Sequence, residues 1–177
     1  APVAGQNFGA HQSDRVKRTF RDGAMMAAGA MFLFAILCQI FPDKMVAVFS
    51  KDPAVIKVGV DYLRIVSFTF MPSGIIFVAS SMFQAMGNTV PSLISSGVRI
   101  ILVVAPAFIL SRVAGFELRW IWFLSAGAVL IQLTISLLLL RREWARRLKF
   151  EPPQSLTEPV TGYASAPMQS EPAEPVL

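Results

Sequence analysis

The side chains able to do chemistry are few and far apart. One histidine, His11, lies in a polar stretch beside Gly9 and Ser13, and one cysteine, Cys38, lies deep in an apolar segment. A nucleophile needs a base within reach, and a metal needs several ligands at matched spacing; neither pattern occurs here. "GQNFG" offers a glycine pair but lacks the strand that must precede a dinucleotide loop. These absences argue against an enzyme, and no cofactor is expected. Polar groups in apolar surroundings are more informative. Arg99 ends a run of about thirty-four residues, Ile65 to Val98, without a charged side chain, and Gln132 is the strongly polar side chain of the apolar run 120–140. An arginine at membrane depth either reaches back to the headgroups or marks a substrate or ion pathway.

The elements that carry these residues follow from composition. Of 177 residues, 54% are hydrophobic and 15% charged, whereas soluble domains hold about 25% charged residues. The net charge of +5 is gathered at the ends of apolar runs: Arg15, Lys17, Arg18 and Arg21 before the first, and Arg141, Arg142, Arg146, Arg147 and Lys149 after the last. That is the positive-inside pattern of a membrane protein rather than the footprint of a nucleic-acid binder. The polar first twenty residues are unlike a cleavable signal peptide.

A membrane-crossing helix needs about 20 apolar residues. Residues 23–41 make one uncharged span, with Gly23, Ala27 or Ala28, and Ala30 or Met31 near helical spacing, so that one face suits close helix packing. A loop with a short amphipathic piece follows, and Asp52-Pro53 is a strong helix start. Lys57, Asp61 and Arg64, spaced four and three, share a face and are expected to pair with one another. A second span, 62–86, is interrupted by Pro72 and Gly74, a kink that serves either packing or a cavity. Gly87, Asn88 and Pro91 form a hairpin tip, and a third span, 91–110, has Pro106 near its far end. The fourth span is 120–140. The fold class is therefore all-α, a polytopic integral membrane protein with four transmembrane helices, and residues 1–150 form the membrane region. At its start, "APVAGQNFGAHQSD" reads as a helix end, a turn and a new helix start: Ala1 to Phe8 is the tail of an upstream helix, ended by Gly9 in a left-handed conformation, and Ser13 or Asp14 caps the next helix. Residues 151–177, with six prolines, four glutamates and no Lys or Arg, read as a disordered cytoplasmic tail. Nine basic residues fall on the cytoplasmic side if both ends lie there, against five in the two outer connections.

The order of short features resembles one family. "GQNFGAHQSDRVKR", then "FSKDPAVIKVGVDYLRI", the Pro72 and Gly74 pair, and "FQAMGNTVPS" followed by Arg99 and Pro106 together resemble the multidrug and toxic compound extrusion transporters. The likeness covers Ala1 to Arg147, about a third of a family member. It implies that the four helices are the last of twelve, part of the C-terminal lobe, with "GNTVP" as the cytoplasmic connection between the tenth and eleventh. It further implies a cation-coupled antiporter of the inner (plasma) membrane, both ends of this segment being cytoplasmic, that exports small amphipathic or cationic drugs and toxic compounds by rocking two lobes about a central cavity. Its partners would be the lipid bilayer, its substrates and the missing N-terminal lobe, with no nucleic acid. Members that hold the coupling ion in this lobe use a carboxylate in the tenth helix, and residues 65–86 have none. The coupling site, for H+ or Na+, is thus expected outside these residues, which favours a proton. Met71, Phe77, Gln84, Arg99 and Gln132 are the substrate-cavity candidates, although Met and Phe at helical spacing also serve plain packing. Two alternatives are an exporter or flippase of lipid-linked polysaccharide with a related fold, and a self-contained four-helix membrane assembly protein.

Overall fold

Four helical stretches are long and apolar enough to cross a bilayer: residues 13–40, 53–85, 90–110 and 118–147. The computed structural model describes residues 1–112 and 117–149, and all regular structure among them is helical. The helices are α1 (Pro2–Gly9), α2 (Ser13–Ile40), α3 (Pro42–Ala47), α4 (Pro53–Val66), α5 (Phe70–Ala85), α6 (Val90–Leu110) and α7 (Leu118–Arg147), with a 3-10 turn at Ser67–Thr69 joining α4 to α5. The Pro/Glu-rich stretch 151–177 lies outside the described residues.

α5 is the element around which the others assemble: α2 packs along one side of it, α7 along another, and α6 pairs with α7. Within the apolar windows, 39% of the α4–α5 residues are buried but only 6% of those in α2 and in α6. Lipid tails are as apolar as leucine, so membrane helices meet where small or polar residues permit contact, and their remaining apolar side chains face outward. The α2–α5 contact shows this. A Cβ built on Gly74 would lie 3.2 Å from the Ala27 carbonyl oxygen and 3.0 Å from Met31, and one on Gly23 would lie 3.5 Å from Val78. The small-residue face read from the sequence of α2 is the face that meets α5.

The core gathers at the basic end of the bundle. Ala4, Val16, Ala79, Met82, Phe83, Met86 and Leu140 are buried together, and Phe20 stacks edge-on against Trp144 with ring centroids 5.4 Å apart. At the opposite end Tyr62 meets Trp122 in the same manner, at 5.6 Å.

Local signals at the helix ends act largely as their residue types dictate. Asp52 caps α4, its Oδ1 accepting the Ala54 N–H at 2.8 Å, with Pro53 in the first helical position. At the α5–α6 hairpin Gly87 has φ +71°, the Gly87 N–H donates to the Gln84 carbonyl, and the Asn88 N–H donates to the Phe83 carbonyl. This is the Schellman pattern, which closes the last carbonyls of a helix around a left-handed residue. Two expectations are corrected. The left-handed residue between α1 and α2 is His11, at φ 57°, not Gly9, which remains inside α1; the N-cap of α2 is Gln12, and neither Ser13 nor Asp14 caps it. Asp61 pairs neither with Lys57 nor with Arg64: its carboxylate takes the Arg119 guanidinium at 2.7 Å. Arg119 reaches Asp61 from a separate helix, α7, and its guanidinium is well suited to a carboxylate partner.

Candidate functional site

The break between α4 and α5 is built from side chains that bond to backbone. Pro72 supplies no N–H to the preceding turn, the Ser67 hydroxyl donates to the Arg64 carbonyl at 3.3 Å, and the Thr69 hydroxyl donates to the Val66 carbonyl at 2.7 Å. Such back-bonding bends helices, and the turn tightens to 3-10 there. Gln39 of α2 completes the repair, its amide donating to the Arg64 carbonyl at 2.8 Å and to the Ser67 hydroxyl at 2.7 Å. The Arg64 carbonyl and the Ser67 hydroxyl at the break thus share one side-chain donor from the neighbouring helix. Beside the break lies an apolar groove of about 310 Å³ lined by Phe32, Ile36, Phe68, Met71 and Pro72, with Gln39 and Ser67 among its walls.

A second groove, of about 400 Å³, lies between α6 and α7. Arg99, Ser96, Ser125 and Gln132 supply its polar lining and Ile100, Val103 and Val104 its apolar lining. Arg99 is the tenth of the 21 residues of α6, so it stands about 14 Å along the helix from its start, near the bilayer middle. Gln132 is only 4% exposed, and its Oε1 is buried without a hydrogen-bond partner. Below the groove the two helices are pinned by Ser95, which bonds Ser136 hydroxyl to hydroxyl at 2.6 Å and reaches the Gln132 carbonyl at 3.5 Å.

The ends of α7 are tied at both sides of the bundle. At one end Arg119 holds Asp61 of α4. At the other, Glu143, 6% exposed, accepts from Arg147 Nε at 2.6 Å and from Asn88 Nδ2 at 2.8 Å. Arg147 also donates to the Met86 carbonyl at 2.7 Å, so the helix end clasps the α5–α6 turn. Arg119 and Glu143 are 24 residues apart on α7, about 36 Å along its axis, close to the thickness of a membrane. The two grooves lie between these ties.

Of the residues singled out from the sequence, Arg99 and Gln132 come together in the α6–α7 groove, and Met71 lines the α2–α5 groove. Phe77 is exposed on α5, and Gln84 is exposed near its end; neither lines either of these two grooves. Pro72 and Gly74 are buried at the α2–α5 contact, Gly87, Asn88 and Pro91 shape the α5–α6 turn, and Pro106 lies inside α6. Sequence reasoning missed Gln39, Ser96, Ser125 and the Glu143 clasp. Glu143 had one available signal, as the lone acid in "RREWARR".

The described residues form an all-α bundle with four apolar spans, an interrupted central helix and polar side chains within the apolar runs. The sequence model of the MatE family matches residues 1–109, from α1 to the end of α6. The chain belongs to the MatE family. It is thus a multi-pass membrane protein of a transporter family, and the first three of its four spans lie within the match. No curated protein matched the chain closely enough to count as a relative. α7 lies beyond the match and supplies both terminal ties and half of the Arg99 groove.

Proposed function

We propose that this chain supplies four helices of the C-terminal lobe of a cation-coupled antiporter, which exports small amphipathic or cationic compounds across the inner (plasma) membrane. Both ends of the segment are cytoplasmic in this reading, with the basic clusters 15–21 and 141–149 on that side. The observation that carries it is the pairing of a MatE match with two grooves at membrane depth, one apolar and one polar, between ionic ties at the two ends of α7.

The coupling ion, H+ or Na+, is assigned to residues beyond these helices. Among the described residues no three His, Cys, Asp or Glu side chains gather, and the carboxylates at the two ends of α7, Asp61 and Glu143, are already engaged by arginines. An acid that must take up and release a cation cannot also be a permanent ion-pair partner.

Expression of the intact gene product in a drug-sensitive host tests the reading. Reduced accumulation of an amphipathic fluorescent dye, abolished by collapsing the cation gradient, is the expected result. Unchanged accumulation, with the protein present in the membrane, would remove the antiport reading and leave only family membership.

A further inference from the structure

The α6–α7 groove contains one charge, and it is positive. Arg99 forms no ion pair or hydrogen bond among the described residues, and no carboxylate lines the groove. Gln132 Oε1 has no donor among the described residues, but the atom is closed off from the groove, so the open demand there is that of Arg99. Arginines near helix ends satisfy themselves at the headgroups, but Arg99 is midway along α6, and Gln132 is about 20 Å from Arg119 and about 16 Å from Glu143 along α7. Ile100, Val103 and Val104 supply an apolar wall beside Arg99. A ligand that meets Arg99 must carry a negative acceptor, with an apolar body for the remaining wall.

We propose that the α6–α7 groove binds the anionic head of an amphipath, a carboxylate, sulfonate or monoanionic phosphate, with Arg99 as the charge partner. That this amphipath is cargo rests on the transporter reading; that the site takes an anion does not. A bilayer lipid offers the same chemistry, but its head lies about 15 Å away at the membrane surface, so the depth of Arg99 favours cargo. The Ser96 and Ser125 hydroxyls add donors suited to a second anionic oxygen.

The test uses the intact gene product in nanodiscs of neutral phosphatidylcholine, with bound dansyl-undecanoate followed by fluorescence. Competitors are 2-hydroxydodecanoate, dodecanoate and dodecyltrimethylammonium. The hydroxy acid is expected to displace the probe at least about tenfold more effectively than the trimethylammonium compound, and Arg99→Gln to weaken carboxylate binding about tenfold. If Arg99→Gln does not fold, Arg99→Lys must retain carboxylate preference and Ser125→Glu must reverse it toward the cation. Equal displacement by both charges in the wild type, or unchanged preference in Ser125→Glu, overturns the proposal. Competition by added phosphatidylglycerol would assign the site to lipid and overturn the cargo assignment. Uptake of the probe into proteoliposomes, undiminished by that lipid, upholds it. Binding without uptake leaves the anion site standing and counts against the antiport reading.

Discussion

Replacing Arg147 by alanine should loosen the basic end of the bundle by about 2–3 kcal/mol. Two interactions vanish: the 2.6 Å contact with Glu143 and the 2.7 Å bond to the Met86 carbonyl. A hydrogen bond to a charged group contributes about 1.5–3 kcal/mol, and breaking a fully buried pair costs about 3–5 kcal/mol. The Arg147 side chain is 41% exposed while that of Glu143 is 8% exposed, so solvent screens the guanidinium but not the carboxylate it leaves behind. The sum is therefore set below the fully buried figure. For a chain of this size the change corresponds to a fall in Tm of about 4–12 °C, read from thermal unfolding in detergent by tryptophan fluorescence, since Trp144 stacks on Phe20 beside the clasp. Amide exchange resolves it locally: protection of the Gly87 and Asn88 N–H groups, which close the Schellman turn, should drop about 30- to 150-fold. Asn88→Ala removes one of the two bonds to Glu143 and should cost less, about 1–2 kcal/mol. The double variant Arg147→Ala/Glu143→Gln should be less destabilised than the sum of its parts, because the uncompensated carboxylate is gone. An Arg147→Ala protein with unchanged Tm and unchanged exchange at residues 87 and 88 would refute the clasp.

Three further outcomes follow from the packing. Gly59→Ala places a Cβ 2.7 Å from Val46 Cγ1; overpacking should lower stability by about 1–3 kcal/mol, and Val46→Ala in the same chain should restore most of the lost Tm. Gly87→Ala meets no atom within 4 Å, yet the residue has φ +71°, so a loss of about 1 kcal/mol or slightly more is expected from backbone conformation alone, whereas Gly87→Asn should cost less in the same thermal scan. Gln39→Leu withdraws the donor shared by the Arg64 carbonyl and the Ser67 hydroxyl; stability should fall by about 1–2 kcal/mol, and amide exchange at residues 66–70 should accelerate while that at 79–83 does not.

The sequence by itself determined the features whose cause lies within one or two helical turns. Hydropathy and charge placed four apolar spans, since a span is defined by a run of residues and the water it avoids. Asp52-Pro53 started a helix and Gly87-Asn88 closed one, because caps and left-handed positions act on their own backbone neighbours. Even there a local preference could lose: Gly9 stayed inside α1 and His11, in the short turn between α1 and α2, took the left-handed position. Arg99 and Gln132 were visible as polar residues in apolar runs, but that they face one groove depends on the rotation of α6 against α7, which the Ser95–Ser136 contact sets. Partner choice was decided by tertiary structure alone. Helical spacing offered Lys57 and Arg64 to Asp61, and the carboxylate took Arg119, 58 positions away. Glu143 found Asn88 across 55 positions and carried Arg147 to the Met86 carbonyl. Such pairs leave no periodic trace, because their energy depends on burial and on the angle at which two distant helix ends meet, and neither quantity exists until the chain has folded.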